Sequence, residues 1–325
     1  MKTTTLGRSG LEVSRIAFGT WQLGGDWGQF DEATAVAAIR GARELGVNFF
    51  DTAQAYGFGA SERILGRALR HQLIGNRNEL VIATKGGLRQ IDSGIVRDAS
   101  PEWLRKGVDA SLTALGIDHI DLYQVHWPDA TVPVAETAGA LRDLVTEGKI
   151  GHVGVSNYDS EQMAEFSATL PVETLQPPYH LFRREIEDQV LPYCRAHDIG
   201  VLAYGPLAHG LLTGTLSVHT AFDEDDWRAT SGVFSGGTFR RNLATVRTLE
   251  KFAADRGISV SQLAIAWTLA NPAVHVAIVG ARHVDHIEDS LRAVDISLTD
   301  SDLDEIETIM DDATPVAGPS PEGMP

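Results

Sequence analysis

Cysteine is almost absent from this chain of 325 residues, and long apolar segments are missing. The one cysteine, Cys194, has no partner for an intrachain disulfide, and its setting VLPYCRAHD favours a buried helix residue over a reactive thiol. No apolar run approaches the ~18 residues of a transmembrane helix, and the first ten residues, MKTTTLGRSG, lack the apolar segment of a signal peptide. These absences predict a cytoplasmic protein with no membrane partner.

Positive charge is also scarce. The 27 Lys and Arg residues are outnumbered by 44 Asp and Glu residues, which gives a net charge of −17. Nucleic acids and anionic membranes require clustered basic residues, so the composition predicts that neither is a partner. A few local cations would still suffice to hold an anionic small molecule. With 43% hydrophobic residues, a chain of this length suits two ordinary domains or one α/β barrel.

Short apolar segments typical of buried strands alternate with amphipathic helical segments along nearly the whole chain. A closed barrel of eight strands and helices needs this alternation over about this length. An open dinucleotide-binding sheet would carry G-x-G-x-x-G, but GFG at 57–59 continues as ASE at 60–62. We therefore predict one (β/α)8 TIM-barrel domain over 1–325, with strands at 15–20, 48–53, 80–86, 119–127, 150–156, 173–177, 200–205 and 274–280.

Several segments lie outside this alternation. Residues 2–14 are typical of two short strands, and the resulting hairpin would plug the bottom of the barrel. The irregular stretch 206–239 follows the seventh strand and has the length of a functional lid. Its acidic run, 223–226, favours a solvated turn over a metal site. After a C-terminal helix, the Pro- and Gly-rich segment 313–325 is predicted to be a flexible tail.

Four polar residues lie at or just beyond the ends of consecutive predicted strands: Asp51, Tyr56, Lys85 and His126. Parallel α/β barrels place their chemistry at this end of the strands. A tyrosine ionises near ~10, so it acts as an acid at neutral pH only if a cation such as a lysine stabilises its phenolate. A carboxylate can hold that lysine, and an imidazole can orient a carbonyl oxygen. The set predicts proton delivery to a carbonyl group.

Taken singly, each of these residues is more often part of a rim ion pair or a capped loop. Four complementary residues at the ends of consecutive strands favour the catalytic interpretation instead. A Schiff base on Lys85, as in an aldolase or isomerase, is a further alternative on the same fold.

The motifs of this chain resemble those of the aldo-keto reductases, and in particular the bacterial and potassium-channel β-subunit-like branch. The similarity extends over roughly residues 3–310. It rests on FFDTAQAYGFGASERILGRAL, VIATKGG, DLYQVHWPD, GKIGHVGVSN, TLQPPYH, VLAYGPLAHGLLTG and IVGARHVDHIEDSL. The resemblance implies a metal-free oxidoreductase that reversibly reduces an aldehyde or ketone to an alcohol with a nicotinamide cofactor. A regulatory or redox-sensing subunit that binds NADPH and turns over slowly is the alternative that this branch allows.

The resemblance also implies roles for individual residues. Tyr56 would be the general acid, Asp51 and Lys85 its tuning pair, and His126 the residue that orients the carbonyl. The substrate pocket would comprise Trp21, Tyr56, His126 and Trp127. The implied cofactor-binding residues are Gly19, Thr20, Trp21, Ser156, Asn157, Gln176, Tyr204, Gly205, Pro206, Leu207, Gly210, Leu212, Gly280, Arg282, His286, Asp289 and Ser290.

Without the resemblance, some of these residues have equally good structural explanations. Ser156 and Asn157 could cap the helix that begins near Asp159, and Gln176 could bond only to loop backbone.

The phosphate end of the cofactor site is predicted around Arg282, where the last strand leads into a helix. The free amides and positive dipole end of that helix attract phosphate. A guanidinium suits a 2′-phosphate, which favours NADPH over NADH. His283 and His286 could hold a metal, but the phosphate site explains them better. The sequence leaves the physiological substrate and the oligomeric state open.

Overall fold

The computed structural model describes residues 1–25, 27–28, 30–224 and 226–316. Two short antiparallel strands come first, β1 (Thr3–Thr5) and β2 (Glu12–Ser14). They are followed by β3 (Ile16–Gly19), β4 (Phe49–Asp51), β5 (Val81–Gly86), β6 (Leu88–Ile91), β7 (Gly94–Arg97), β8 (Ile120–Val125), β9 (Ile150–Ser156), β10 (Thr174–Gln176), β11 (Gly200–Tyr204) and β12 (Val276–Gly280).

All of these later strands except the β6–β7 hairpin belong to one closed, parallel barrel. The barrel strands are neighbours in the order in which they occur along the chain, and β12 pairs with β3 to close the ring. Each predicted strand segment contains one barrel strand. The predicted (β/α)8 fold is therefore confirmed, including its N-terminal hairpin, the long loop after the seventh barrel strand and the C-terminal helix.

Helices surround the barrel, and local sequence explains where several of them begin and end. Asp31, Ser100 and Ser259 each accept a hydrogen bond from an amide of the following helical turn, as N-caps do. The helices are α1 (Glu32–Glu44), α2 (Ala60–Ala68), α3 (Arg70–Gly75), α4 (Pro101–Leu115), α5 (Val134–Thr146), α6 (Ser160–Ser167), α7 (Val190–Ala196), α8 (Gly236–Ala254), α9 (Val260–Ala270), α10 (Val284–Leu291) and α11 (Asp300–Met310).

The N-terminal hairpin closes the bottom of the barrel, as predicted. Leu6 and Val13 from the hairpin are fully buried in the inner core with Phe49 and Leu122 from the strands. Gly200 makes this possible, because a Cβ at that position would lie 2.7 Å from the Leu6 side chain. Since the bottom is filled with apolar side chains, polar chemistry is restricted to the other end.

The stretch after β11 is more ordered than predicted. Short 3-10 turns occur at Ala208–Thr213, Trp227–Ala229 and Gly232–Phe234, and α8 begins at Gly236 rather than at residue 240. At the other end of the chain, the amide of Val316 donates to the carbonyl of Phe182. The remainder of the predicted tail, 317–325, lies outside the described residues.

Candidate active site

A buried lysine is the centre of the polar cluster at the top of the barrel. Lys85 is completely buried, and its Nζ donates to Asp51 Oδ2 at 2.7 Å and to the Thr52 carbonyl at 2.9 Å. The Oη of Tyr56 lies 3.4 Å from the same nitrogen. A buried ammonium needs such oxygen partners, because removal from water is otherwise costly. The cation beside Tyr56 favours the phenolate form of that side chain.

His126 lies on the other side of the tyrosine. It follows β8, is 2% exposed, and its ring packs edge-on against the Tyr56 ring with 5.7 Å between centroids. Trp21 flanks Tyr56 at 6.3 Å. The fold thus brings all four predicted catalytic residues together around one phenol. Trp127 is almost buried, packs near Ala55 and Leu88, and is covered by Arg97.

A chain of hydrogen bonds extends from this cluster along the predicted nicotinamide residues. Gln176 Nε2 donates to the second oxygen of Asp51 at 2.9 Å, so both carboxylate oxygens are occupied. The Ser156 hydroxyl donates to the Gln176 carbonyl, and the Tyr204 hydroxyl donates to Asn157 Oδ1 at 3.0 Å. These side chains fix one wall of the site.

The alternative structural explanations for these residues do not apply. Asp159, not Ser156 or Asn157, is the N-cap of α6, where it forms a capping box with Gln162. Gln176 bonds to a carboxylate side chain rather than only to loop backbone.

A groove of about 430 Å³ runs from Tyr56 toward the end of β12. Most of the predicted cofactor-binding residues line it: Gly19, Thr20, Trp21, Gln176, Tyr204, Gly205, Pro206, Leu207, Gly210, Gly280, Arg282 and His286. Asp51 and Tyr56 also line the groove, so the catalytic cluster opens into it.

Five predicted cofactor-binding residues do not line the groove. Ser156 and Asn157 bond to Gln176 and Tyr204, which do line it. The other three have structural contacts elsewhere. Leu212 is fully buried in the core. Asp289 accepts hydrogen bonds from Gln262 Nε2 at 2.6 Å and from Ser259, so it joins α10 to α9. The Ser290 hydroxyl donates to the carbonyl of His286, one turn earlier in the same helix. Through these contacts Asp289 joins α10 to α9, and Ser290 bonds within α10 itself.

The groove is covered partly by the predicted lid segment 206–239, but sequence reasoning gave no role to Trp227 or Arg228 within it. Trp27 and His209 pack edge-to-face against Trp21, with ring centroids at 5.0 Å and 5.8 Å. The Trp227 ring stacks on Trp21 at 6.2 Å and packs edge-to-face against His209 at 5.2 Å. Arg228 lies over the Trp27 ring at 4.8 Å and donates to the carbonyl of His209. Residues far apart in sequence form this cover, so no local pattern could reveal it.

The acidic run 223–226 is not simply a solvated turn. Asp226 is 5% exposed and its carboxylate binds the Arg228 guanidinium at 2.6 Å. Burial alone would raise the pKa of Asp226, but hydrogen bonds from Arg228 outweigh it and lower the pKa. Asp225 lies outside the described residues. The spacing of Asp226 and Arg228 is a signal that could have indicated this pair.

The far end of the groove fits a phosphate group. Among the described residues, no side chain caps the first amides of α10, which begins just beyond Arg282. Free amides at a helix N-terminus and an adjacent guanidinium bind phosphate oxygens. Here Arg282 donates to the carbonyl of Trp27, which links this end of the groove to the cover. These residues suit the phosphates of a nicotinamide dinucleotide.

Comparison with known proteins agrees with this geometry. The profile of the Aldo/keto reductase family matches residues 15–311. The chain belongs to that family. Its members are oxidoreductases that act on carbonyl compounds with a nicotinamide cofactor. Aldo-keto reductase YhdN of Bacillus subtilis is 42% identical over 313 residues, covering 96% of this chain and 94% of the relative.

The solved structure of a glycerol dehydrogenase from Gluconobacter oxydans is also similar, with 39% identity, a TM-score of 0.86 and 95% of each chain covered. Two further relatives have names that give a different cofactor or a different role. The NADH-specific methylglyoxal reductase of Escherichia coli is 32% identical, covering 93% of this chain and 96% of the relative. A probable voltage-gated potassium channel subunit beta of Oryza sativa is 33% identical, covering 95% and 97%. The predicted family and branch are confirmed.

Two features are absent from the described residues. These residues contain no helix that is long and apolar enough to cross a membrane. They also contain no group of three or more His, Cys, Asp or Glu side chains that could hold a metal ion.

Proposed function

We propose that this chain is an NADPH-dependent reductase that reversibly converts an aldehyde or ketone to the alcohol. One observation carries the proposal. Lys85 is completely buried between Asp51 and Tyr56, at 2.7 Å and 3.4 Å, and Tyr56 faces a groove that ends at Arg282. A phenol held beside a fixed cation is an acid suited to an oxygen that becomes negative during reduction.

The side chains divide the chemistry among them. When bound in the groove, NADPH would supply the hydride for the carbonyl carbon. Tyr56 donates its proton to the carbonyl oxygen, and Lys85 stabilises the phenolate that remains. Asp51 holds the lysine in place, while His126 donates a hydrogen bond that orients the carbonyl. In the reverse direction Tyr56 phenolate accepts the proton of the alcohol.

Cofactor binding is assigned to the groove and its polar wall. Ser156, Asn157 and Gln176 would hold the nicotinamide amide, and Tyr204 would stack on the ring. Arg282 would take the 2′-phosphate, which is the reason to expect NADPH rather than NADH. The pocket for a small carbonyl substrate would be formed by Trp21, Tyr56, His126 and Trp127. We infer from its acidic composition that the enzyme has no nucleic-acid or anionic-membrane partner.

Replacing Tyr56 with Phe tests the proposal. The variant lacks the proton donor, so kcat for carbonyl reduction should fall by about 10²-fold or more. NADPH should still quench the fluorescence of the groove tryptophans, because the cofactor contacts remain. The readouts are steady-state NADPH oxidation and a fluorescence titration. Near-wild-type turnover would show that Tyr56 is not the acid.

A second function is favoured by the similarity to a probable channel β-subunit. A regulatory or redox-sensing subunit would bind NADPH in the same groove but turn over slowly. A panel of small aldehydes and ketones, assayed with NADPH and NADH in parallel, separates the two. Turnover of about 1 s⁻¹ or faster supports the enzyme. Slow turnover on every carbonyl, together with tight NADPH binding, supports the subunit.

A further inference from the structure

The first turn of α2 carries a buried acid that the proposed reaction does not use. Glu62 is 1% exposed, and its Oε1 accepts a hydrogen bond from the Thr84 hydroxyl at 2.7 Å. Thr84 directly precedes Lys85 on β5. The other carboxyl oxygen is buried as well, and the Ser111 hydroxyl also acts on this carboxyl. Removing a carboxyl from water is unfavourable, so its presence calls for an explanation.

The preceding residue makes a matching set of contacts. The Ser61 hydroxyl lies 2.7 Å from Thr20 Oγ1 and 3.0 Å from Thr52 Oγ1, and these side chains are fully buried. Thr20 follows β3, and Thr52 follows Asp51. Together with the Glu62–Thr84 bond, these contacts attach the first turn of α2 to three barrel strands. Two of those strands carry Asp51 and Lys85.

The loop that carries Tyr56 depends on this attachment. The amide of Ser61 donates to the carbonyl of Tyr56 at 3.2 Å. Between them, Gly57, Phe58 and Gly59 all have positive φ, at 61°, 45° and 91°. Phenylalanine rarely adopts such a φ, and conformations of this kind persist only where the surroundings enforce them. The backbone of Tyr56 is thus tied to the first turn of α2 through a tightly constrained loop.

We propose that Glu62 is a positioning residue, whose hydrogen bond to Thr84 fixes α2 against β5 and thereby holds the Tyr56 phenol beside the Lys85 ammonium. This inference rests on Tyr56 as the acid of the proposed function. Burial raises the pKa of Glu62, although hydrogen bonds with Thr84 and Ser111 oppose this effect. Lys85 and His126 lie against Tyr56, and Asp51 pairs with Lys85. The charged and titratable groups that act on Glu62 are Arg63, Lys85 and Tyr123.

Two substitutions of Glu62 separate positioning from simple packing. Glu62→Gln keeps an oxygen that accepts from Thr84, and it should behave like the wild type. Glu62→Leu removes the acceptor at similar volume. We expect kcat to fall about tenfold, with the KM for NADPH within about twofold, because a small misplacement of a reacting group is costly. If Lys85 lies farther from Tyr56, the phenol loses its proton less readily. The pH above which carbonyl reduction declines should therefore rise by about one unit.

Matched variants make the result decisive. Thr84→Val removes the donor of the same bond and should reproduce the Glu62→Leu effects, so it replaces Glu62→Leu if that variant does not fold. Asp121→Asn weakens a partly buried pair with Arg77 at the opposite end of the barrel. This variant should have a lower Tm, but its pH midpoint, the pH at which carbonyl reduction has fallen by half, should not change.

The outcomes distinguish this inference from the proposed function. If Glu62→Leu lowers the Tm but leaves kcat and the pH midpoint unchanged, Glu62 only stabilises the fold. Equal losses in Glu62→Gln and Glu62→Leu would contradict the role of the hydrogen bond. Tyr56→Phe is assayed in parallel: if it stays active, both proposals fail, and if it is inactive while Glu62→Leu is normal, only this one fails.

Discussion

At the scale of single residues, His152 has an ion pair that links stability to pH. Its Nδ1 lies 3.1 Å from Glu173 Oε1, at the end of the barrel opposite the groove. The hydrogen bond with Glu173 raises the pKa of His152, although partial burial opposes it. The imidazolium is therefore favoured in the folded state. This pair stabilises the fold fully below the unfolded pKa of about 6.5, and the contribution is lost as the pH rises through the higher folded pKa.

The variant His152→Gln tests this linkage. Wild-type Tm measured at about pH 5.5 and about pH 8 includes the contribution of the pair only at the lower pH. The Tm difference between the two conditions should shrink by about 1–2 °C in the variant. The measurement is differential scanning calorimetry in buffers of equal ionic strength. An unchanged difference would mean that His152 does not couple folding to protonation.

The sequence was most informative about residues at strand ends. Asp51, Lys85 and His126 could be placed together because parallel strands deliver their C-terminal residues to one rim. It was less informative about α10, where Asp289 and Ser290 have polar side chains that bond to neighbouring helical residues. A polar residue near a ligand site and one that joins two helices have the same local pattern. Only the packing of α10 against α9 separates them.

At the scale of elements, two distant loops meet over the groove. Trp27 and Asp226 form an isolated antiparallel bridge, and Arg228 lies against the rings of Trp27 and Phe222 at 4.8 Å and 4.4 Å. This contact joins segments about two hundred residues apart, which explains why hydrophobic periodicity did not reveal it. Periodicity reports on a segment and the core beneath it, not on its partners across the barrel mouth.

Arg228→Gln should loosen this cover. The substitution removes an ion pair and cation–π contacts worth about 0.5–1 kcal/mol each. NADPH should then dissociate faster and its KM should rise about fivefold, with no loss of kcat at saturation. Stopped-flow fluorescence and steady-state kinetics give these values. Arg247→Gln, an exposed change on α8, is the control. A KM increase of the same size in both variants would contradict a specific role of Arg228.

At the scale of the whole molecule, the alternation of strands and helices was sufficient to predict the barrel. Each barrel strand is buried on both sides, so each appears as a short apolar run that a helix follows. The predicted strand boundaries differ from the observed ones by at most two residues at either end. The N-terminal hairpin was predictable from its turn. Its packing at the bottom of the barrel requires the absence of a side chain at Gly200. That requirement becomes visible only in the closed barrel.

The single-domain organisation that we propose can be tested through the same hairpin. Leu6→Ala would leave a cavity in the inner core and should lower the free energy of unfolding by about 2–5 kcal/mol. Far-UV circular dichroism and tryptophan fluorescence should shift together in one urea transition. Leu45→Ala, at a partly exposed position, is a control that should change little. Two separated transitions would show that the hairpin end unfolds independently.

Lys85 gives the candidate site a cation that is part of the chain itself. Its ammonium is bound to a carboxylate, a carbonyl and a phenol, so an imine with a substrate would require it to leave all three. A metal ion in the same place would exchange with the medium and vary with supply. In contrast, the charge beside Tyr56 is acquired once, when the protein folds, and every intact molecule carries it.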